Sequence, residues 1–307
     1  MWETYEPITL RENDSGKDDV GRAKHILRHL GPIKADRLTQ KHVDEYVAKR
    51  GDETSLRGGP PAPATLCKEL GLVRRMLNRA VKRGELRSNP LAGMTLPDGD
   101  KVRQRAVDEA EFQRLVDAAD RRFKPILIVA YDTGMRRSEV LKLKWRNVDL
   151  TNGVIRLGKE DTKTDKPRLV VLTDRVHEVL EALPRSITGY VFPNPKTRKP
   201  WTDIKKVFQR ACEGAGIKGL WFHDLRRSFV TNARRRGVAE SVVMKMSGHK
   251  TRAIFDRYNI INDEDLRTGI ERIEEGRRAE LAAQAKTAAS TRAVRRAGGG
   301  GKKMDQG

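Results

Sequence analysis

Residues 223–229 read HDLRRSF and residues 246–259 read MSGHKTRAIFDRYN. His223 and Arg226 stand three apart, so on a helix they share a face and can meet one ligand. Gly248 and His249 follow, and nine residues after His249 comes Tyr258. Working outward, residues 133–145 read TGMRRSEVLKLKW. Gly134 permits a tight turn opening the next helix, and Arg136 there can aim its planar fork at a pair of phosphate oxygens. Residues 162–172 read TKTDKPRLVVL and put Lys163 on a polar connection between two strand signals. Taken singly, each residue has an ordinary reading: a surface arginine, a solvated lysine, a capping histidine, a core tyrosine with a wet hydroxyl. Tyr5, Tyr46, Tyr131 and Tyr190 share that last reading. The set and its order point to phosphate chemistry.

Composition agrees. The chain has 307 residues, 63 Lys and Arg against 42 Asp and Glu, and a formal net charge of +21. Such an excess is costly in self-repulsion without a polyanionic partner. No apolar run reaches the ~18 residues of a membrane span, so nucleic acid is favoured over an anionic membrane. The opening MWETYEPITLRENDSGKDD is polar and acidic, unlike a signal peptide. Cys67 and Cys212 stand far apart without a CxxC context, which argues against a disulfide framework or a thiolate zinc site. Both read as small buried residues of a chain from a reducing cytoplasm.

The spacing of apolar residues predicts helices from about residue 20 to 95. Thr39 reads as a helix cap, and Thr65 as the cap of a helix carrying Leu66, Leu70, Val73, Leu77 and Ala80 at three- and four-residue steps. His25 and His29 have metal-ligand spacing but no third ligand, and read as a helix-surface pair. Residues 97–105 read as a linker. Beyond it, Asp108 caps a helix with Glu111 three residues on, and another runs from Pro125 to Asp132. A hairpin pairs 154–157 with 168–172, and Glu160-Asp161 lies at its solvated edge. Helices are expected at 174–183, 203–215, 225–235 and from about 240. The tail from residue 276 reads as one more helix followed by disorder.

The order Arg136, Lys163, His223-x-x-Arg226, Gly248-His249, Tyr258 resembles the active-site signature of the tyrosine recombinases, the phage-integrase family. The resemblance is firm over about 105–275 and looser over 20–100. It implies a mainly α fold with a small antiparallel β-sheet. Residues 1–97 would be an all-α core-binding domain, 98–105 a linker, 106–275 an α+β catalytic domain and 276–307 a basic tail. It also implies a nucleophile, Tyr258, that leaves a 3′-phosphotyrosyl bond and a free 5′-hydroxyl. A free phenol titrates near 10 and is a poor nucleophile. Arg136 and Arg226 would stabilise the charge growing on the phosphate, and His223 would relay the proton. Lys163 would protonate the leaving oxygen, and His249 would donate a hydrogen bond to the phosphate. The chain departs from the family in having Ser247 where leucine is usual, and Val171 where proline is frequent. Both departures bear on packing.

The partners implied are double-stranded DNA and a homotetramer on two DNA sites, with accessory DNA-bending or directionality proteins. No cofactor, metal or membrane is implied. DNA contacts are expected from Thr65, Lys68, Arg74 and Arg75 and from Arg103 and Arg105 in the linker. Leu266, Ile270 and Ile273 form either a face for a neighbouring subunit or part of an internal core. The alternatives are a type IB topoisomerase-like relaxing enzyme and a non-catalytic DNA-binding derivative.

Overall fold

The computed structural model describes residues 1–13, 16–55, 58–97, 104–162, 167–185 and 187–298, with backbone alone at 264 and 285–298. Lys163, Arg103 and most of the expected linker lie outside the described residues. The chain divides into two compact units, Met1–Val102 and Arg103–Gly307.

The first unit is helical: α1 (Trp2–Glu12), α2 (Gly16–Leu30), α3 (Gln40–Gly51) and α4 (Pro63–Lys82). The expectation that helices begin near residue 20 is corrected by α1. Its charges face water, while Tyr5 enters the core and Thr9 donates to buried Asp19 at 3.1 Å. Thr65 is not a cap. The helix starts at Pro63, whose missing N–H costs nothing in a first turn, and Ala62 takes the capping position. At the far end, Gly84 has φ +75°. Its N–H reaches Val81 O at 3.0 Å and the Glu85 N–H reaches Ala80 O at 2.9 Å, a Schellman closure. The stripe Leu66, Leu70, Val73, Leu77 and Ala80 is buried throughout. Buried Glu69 is satisfied by Tyr46 Oη at 2.7 Å and Arg50 Nη2 at 2.8 Å. His29 Nε2 lies 2.7 Å from Glu53 Oε1 and His25 Nδ1 lies 3.5 Å from Oε2, so the pair faces a carboxylate. Among the described residues no cluster of metal-ligating side chains forms. Cys67 is only half-buried, and its thiol donates to Pro97 O at 2.8 Å, whereas Cys212 is buried.

The second unit contains α5 (Glu109–Ala118), α6 (Lys124–Thr133) and α7 (Arg137–Leu141). A three-stranded antiparallel sheet follows, β1 (Val148–Asp149), β2 (Val154–Leu157) and β3 (Arg168–Val171) in that order. Then come α8 (Asp174–Glu181), α9 (Lys205–Gly214), α10 (Phe222–Arg235), α11 (Glu240–Ser247), α12 (Arg252–Asp256) and α13 (Asp263–Gly298). The Asp108 carboxylate accepts from Glu111 N at 2.7 Å and caps α5. In the sheet, Ile155 pairs with Val170, and both side chains enter the core. Tyr131 stacks on Phe112 with ring centroids 3.8 Å apart, which makes it a core aromatic. Asp161 is not a solvated edge: its carboxylate accepts from Asn147 Nδ2 at 2.9 Å and Gly158 N at 3.1 Å, pinning the start of the connection. Asp265 ties the first turn of α13 to α10 through Arg234 at 2.8 Å and Arg235 at 2.9 Å. Leu266, Ile270 and Ile273 all face water, so they do not join an internal core. Among the described residues no helix is long and apolar enough to cross a membrane.

Candidate active site

Five chain segments supply the site, and each is held there by its local sequence. Gly134 ends α6 at φ +60°, a left-handed turn that a side chain would strain. An added Cβ there would also overlap the Phe229 ring. The turn delivers Arg136, whose backbone N–H and Nη1 both reach Glu139, at 2.8 and 2.9 Å. Arg136 Nη2 donates to Gly248 O at 3.0 Å. Gly248, at φ +72°, ends α11 in the same left-handed way. From α10, Arg226 donates through Nη1 to Gly134 O at 2.7 Å and through Nη2 to His249 Nε2 at 3.0 Å. Both arginines thus hold the two turns that carry the site.

Tyr258 follows α12. Its hydroxyl lies 2.7 Å from His223 Nε2, and its ring centroid 4.5 Å from that of His249. The guanidiniums of Arg226 and Arg227 stand 5.7 and 5.2 Å from the phenol ring. Phe255 anchors the segment in a small core with Val230 and Val243. Thr231 Oγ1 donates to the Tyr258 carbonyl at 3.1 Å. The phenol is therefore positioned from both its backbone and its hydroxyl.

The charge balance is strongly positive. Arg136, Arg168 and Arg226 converge around one buried carboxylate, Glu139, which also receives Arg168 Nη2 at 2.6 Å. Burial, then the Arg136 and Arg168 charges, push the Arg226 guanidinium down to about 9, still cationic at neutral pH. Burial, then the Arg226 charge, push His249 down to about 3. For His223, loss of water and then the Arg226 and Arg227 charges push the imidazole down to about 4. Its outer edge remains exposed, so the fixed guanidinium charges are the sturdier cause. Both imidazoles are neutral near pH 7. A neutral His223 can accept the phenol proton, and the surplus of guanidinium charge suits a dianionic or monoanionic phosphate.

Of the residues singled out from sequence, the fold gathers Arg136, His223, Arg226, His249 and Tyr258. A guanidinium has no acceptor, so in this arrangement His249 Nε2 accepts from Arg226 at 3.0 Å. Glu139, Arg168 and Ser247 were missed. Arg168 sits two residues before inward-facing Val170, so strand alternation could have placed it inward. Thr65, Lys68 and Arg74 are exposed on α4. Arg75 instead closes on Asp19 at 2.9 Å and Arg105 pairs with Glu111.

The sequence profile of the phage integrase family matches residues 105–265, just over half of the 307. The chain belongs to the phage integrase family. The integrase of Salmonella phage P22 is 26% identical over 232 residues, 71% of this chain and 59% of that protein. A shufflon-specific DNA recombinase of Escherichia coli is 29% identical over 73% of this chain and 58% of its own length. The chain thus spans about three-fifths of the length of these two relatives. The tyrosine recombinase XerC of Lactobacillus delbrueckii is 25% identical over 86% of this chain and 91% of its own. In fold, a fragment of lambda integrase, solved as a dimer on a COC′ core site, superposes with a TM-score of 0.66. It is 19% identical, over 84% of this chain and 93% of that one. A Tn1549 transposon integrase, solved with transposon right-end DNA, gives 0.67 at 17% identity, over 87% and 97%. The mainly helical fold with a small antiparallel sheet is therefore the fold of integrase-family proteins.

Proposed function

We propose that the chain is an integrase-type site-specific DNA recombinase that breaks and rejoins DNA through Tyr258. The observation that carries this is the 2.7 Å contact between the Tyr258 hydroxyl and a neutral His223, set among Arg136, Arg168 and Arg226. Tyr258 attacks a phosphodiester and His223 takes its proton. Arg136 and Arg226 release the Gly248 and Gly134 carbonyls and hold the non-bridging oxygens. Each such donor is commonly worth about 3 kcal/mol of barrier. Lys163 protonates the departing 5′ oxygen. The bond energy stays in the tyrosyl ester, so rejoining consumes no nucleotide.

Residues 1–97 form the core-binding domain and 106–275 the catalytic domain, with Thr65, Lys68 and Arg74 the stronger candidates for phosphate contact on the first. The assembly is a homotetramer on two duplexes in the cytoplasm of a bacterium, assisted by DNA-bending or directionality proteins. The apolar face of α13, Leu266, Ile270 and Ile273, docks on the neighbouring subunit. The polarity of cleavage tests the proposal. A nicked duplex bearing the recombination site should yield protein attached to a 3′ end and a 5′-hydroxyl that polynucleotide kinase labels without phosphatase. Attachment to a 5′ end would contradict it.

A further inference from the structure

Ser247 is fully buried at the end of α11, and its hydroxyl has two short contacts and a longer one to Met244 O at 3.4 Å. Ser247 Oγ lies 2.7 Å from Val243 O and 2.7 Å from His249 Nδ1. Arg226 only donates, so His249 Nε2 carries a lone pair toward it. A neutral imidazole then has its single proton on Nδ1, which donates to Ser247 Oγ. The serine proton is left for Val243 O. The line Arg226, His249, Ser247, Val243 is a relay with one consistent polarity, and it locks His249 as the Nδ1–H tautomer.

That tautomer is the wrong one for holding a phosphate. When an anion draws Arg226 away, Nε2 loses its donor. The relay can then reverse by exchange with solvent: the Nδ1 proton is given up to water, Nε2 takes a proton from water and turns it to the anion, and the serine hydroxyl rotates from Val243 O to Nδ1. Val243 O is a helix carbonyl and tolerates losing the second bond. A leucine at 247 could neither accept from Nδ1–H nor donate to Nδ1.

We infer that Ser247 is a positioning residue whose reversible hydroxyl switches His249 from accepting from Arg226 in the free protein to donating to a phosphate oxygen in the occupied site. The catalytic use of this switch rests on the recombinase reading above; the switch itself does not. A Thr at 247 keeps it, and an Ala removes it, leaving Nδ1–H buried without an acceptor.

The test reads the tautomer directly. Full-length protein labelled with 15N-histidine is followed by long-range 1H–15N correlation, with His249 assigned by loss of its signals in His249→Gln. Inorganic phosphate is titrated in as the probe. The expected result is Nδ1–H in the free wild type, with conversion to Nε2–H as phosphate saturates the wild type and Ser247→Thr. In Ser247→Ala, whose Nδ1–H has no acceptor, the free protein should already show a mixture of the two tautomers and finish converting at lower phosphate. An Nε2–H signal in the free wild type, or the same conversion in Ser247→Ala, overturns the inference. A correctly converting protein that forms no tyrosyl adduct with DNA would remove the recombinase reading while leaving the Ser247 switch intact.

Discussion

At Glu139 one carboxylate, shielded from water, faces Arg136 at 2.9 Å and Arg168 at 2.6 Å. Removing its charge leaves two half-buried guanidiniums repelling each other beside Arg226. Glu139→Gln keeps the shape and should cost about 3–5 kcal/mol, the usual penalty for stranding a buried charge, read as a fall in urea stability. A loss under 1 kcal/mol would mean the arginines find other partners. The histidines add a pH dependence. His249 and His223 are pushed down to about 3 and about 4, against an ordinary 6.5. Below pH 6.5 the unfolded chain takes up protons that the folded chain refuses, so stability rises with pH through this window. That stability is fully present above about 6.5 and is lost as pH falls toward 4. Urea midpoints measured from pH 7 to 4.5 should decline, and decline less in His249→Gln. Equal slopes would assign the loss to other groups.

At the scale of elements, the site hangs on two left-handed glycines that end α6 and α11. Gly134→Ala combines a strained φ with an overlap on Phe229. It should lower stability by more than about 1 kcal/mol and displace Arg136, slowing adduct formation more than DNA binding. Unchanged rates would show that the turn does not set the arginine. Much of this was legible in the sequence. Gly134, the Asp108 cap, the hairpin strands and the helix that carries both His223 and Arg226 all carry local signals that the fold obeys. What escaped was set by tertiary pairing. The two residues of β1 are too short to show alternation. The first helix, α1, looks like a solvated stretch because only Tyr5 and Thr9 turn inward. Arg168 and Glu139 are matched across 29 positions of chain, and no local pattern announces such a pair.

At the scale of the molecule, the +21 charge and the guanidinium-lined site make the same demand, a polyanion. Yet the basic residues are not equivalent. Arg50, Arg75 and Arg105 answer carboxylates of the chain itself, whereas Arg136 and Arg226 each point one guanidinium nitrogen at a backbone carbonyl beside the phenol, which an incoming phosphate can replace. This separates arginines that build the fold from arginines that can turn to an incoming phosphate. The proposed chemistry therefore rests on one tyrosine among the five in the chain. Wild type and Tyr258→Phe should be incubated with a nicked duplex carrying the recombination site and resolved on a denaturing gel. The prediction is a covalent protein–DNA band in the wild type that is absent from Tyr258→Phe, with DNA affinity retained within about twofold, since a single hydroxyl adds little to binding. An adduct that persists in Tyr258→Phe would contradict it.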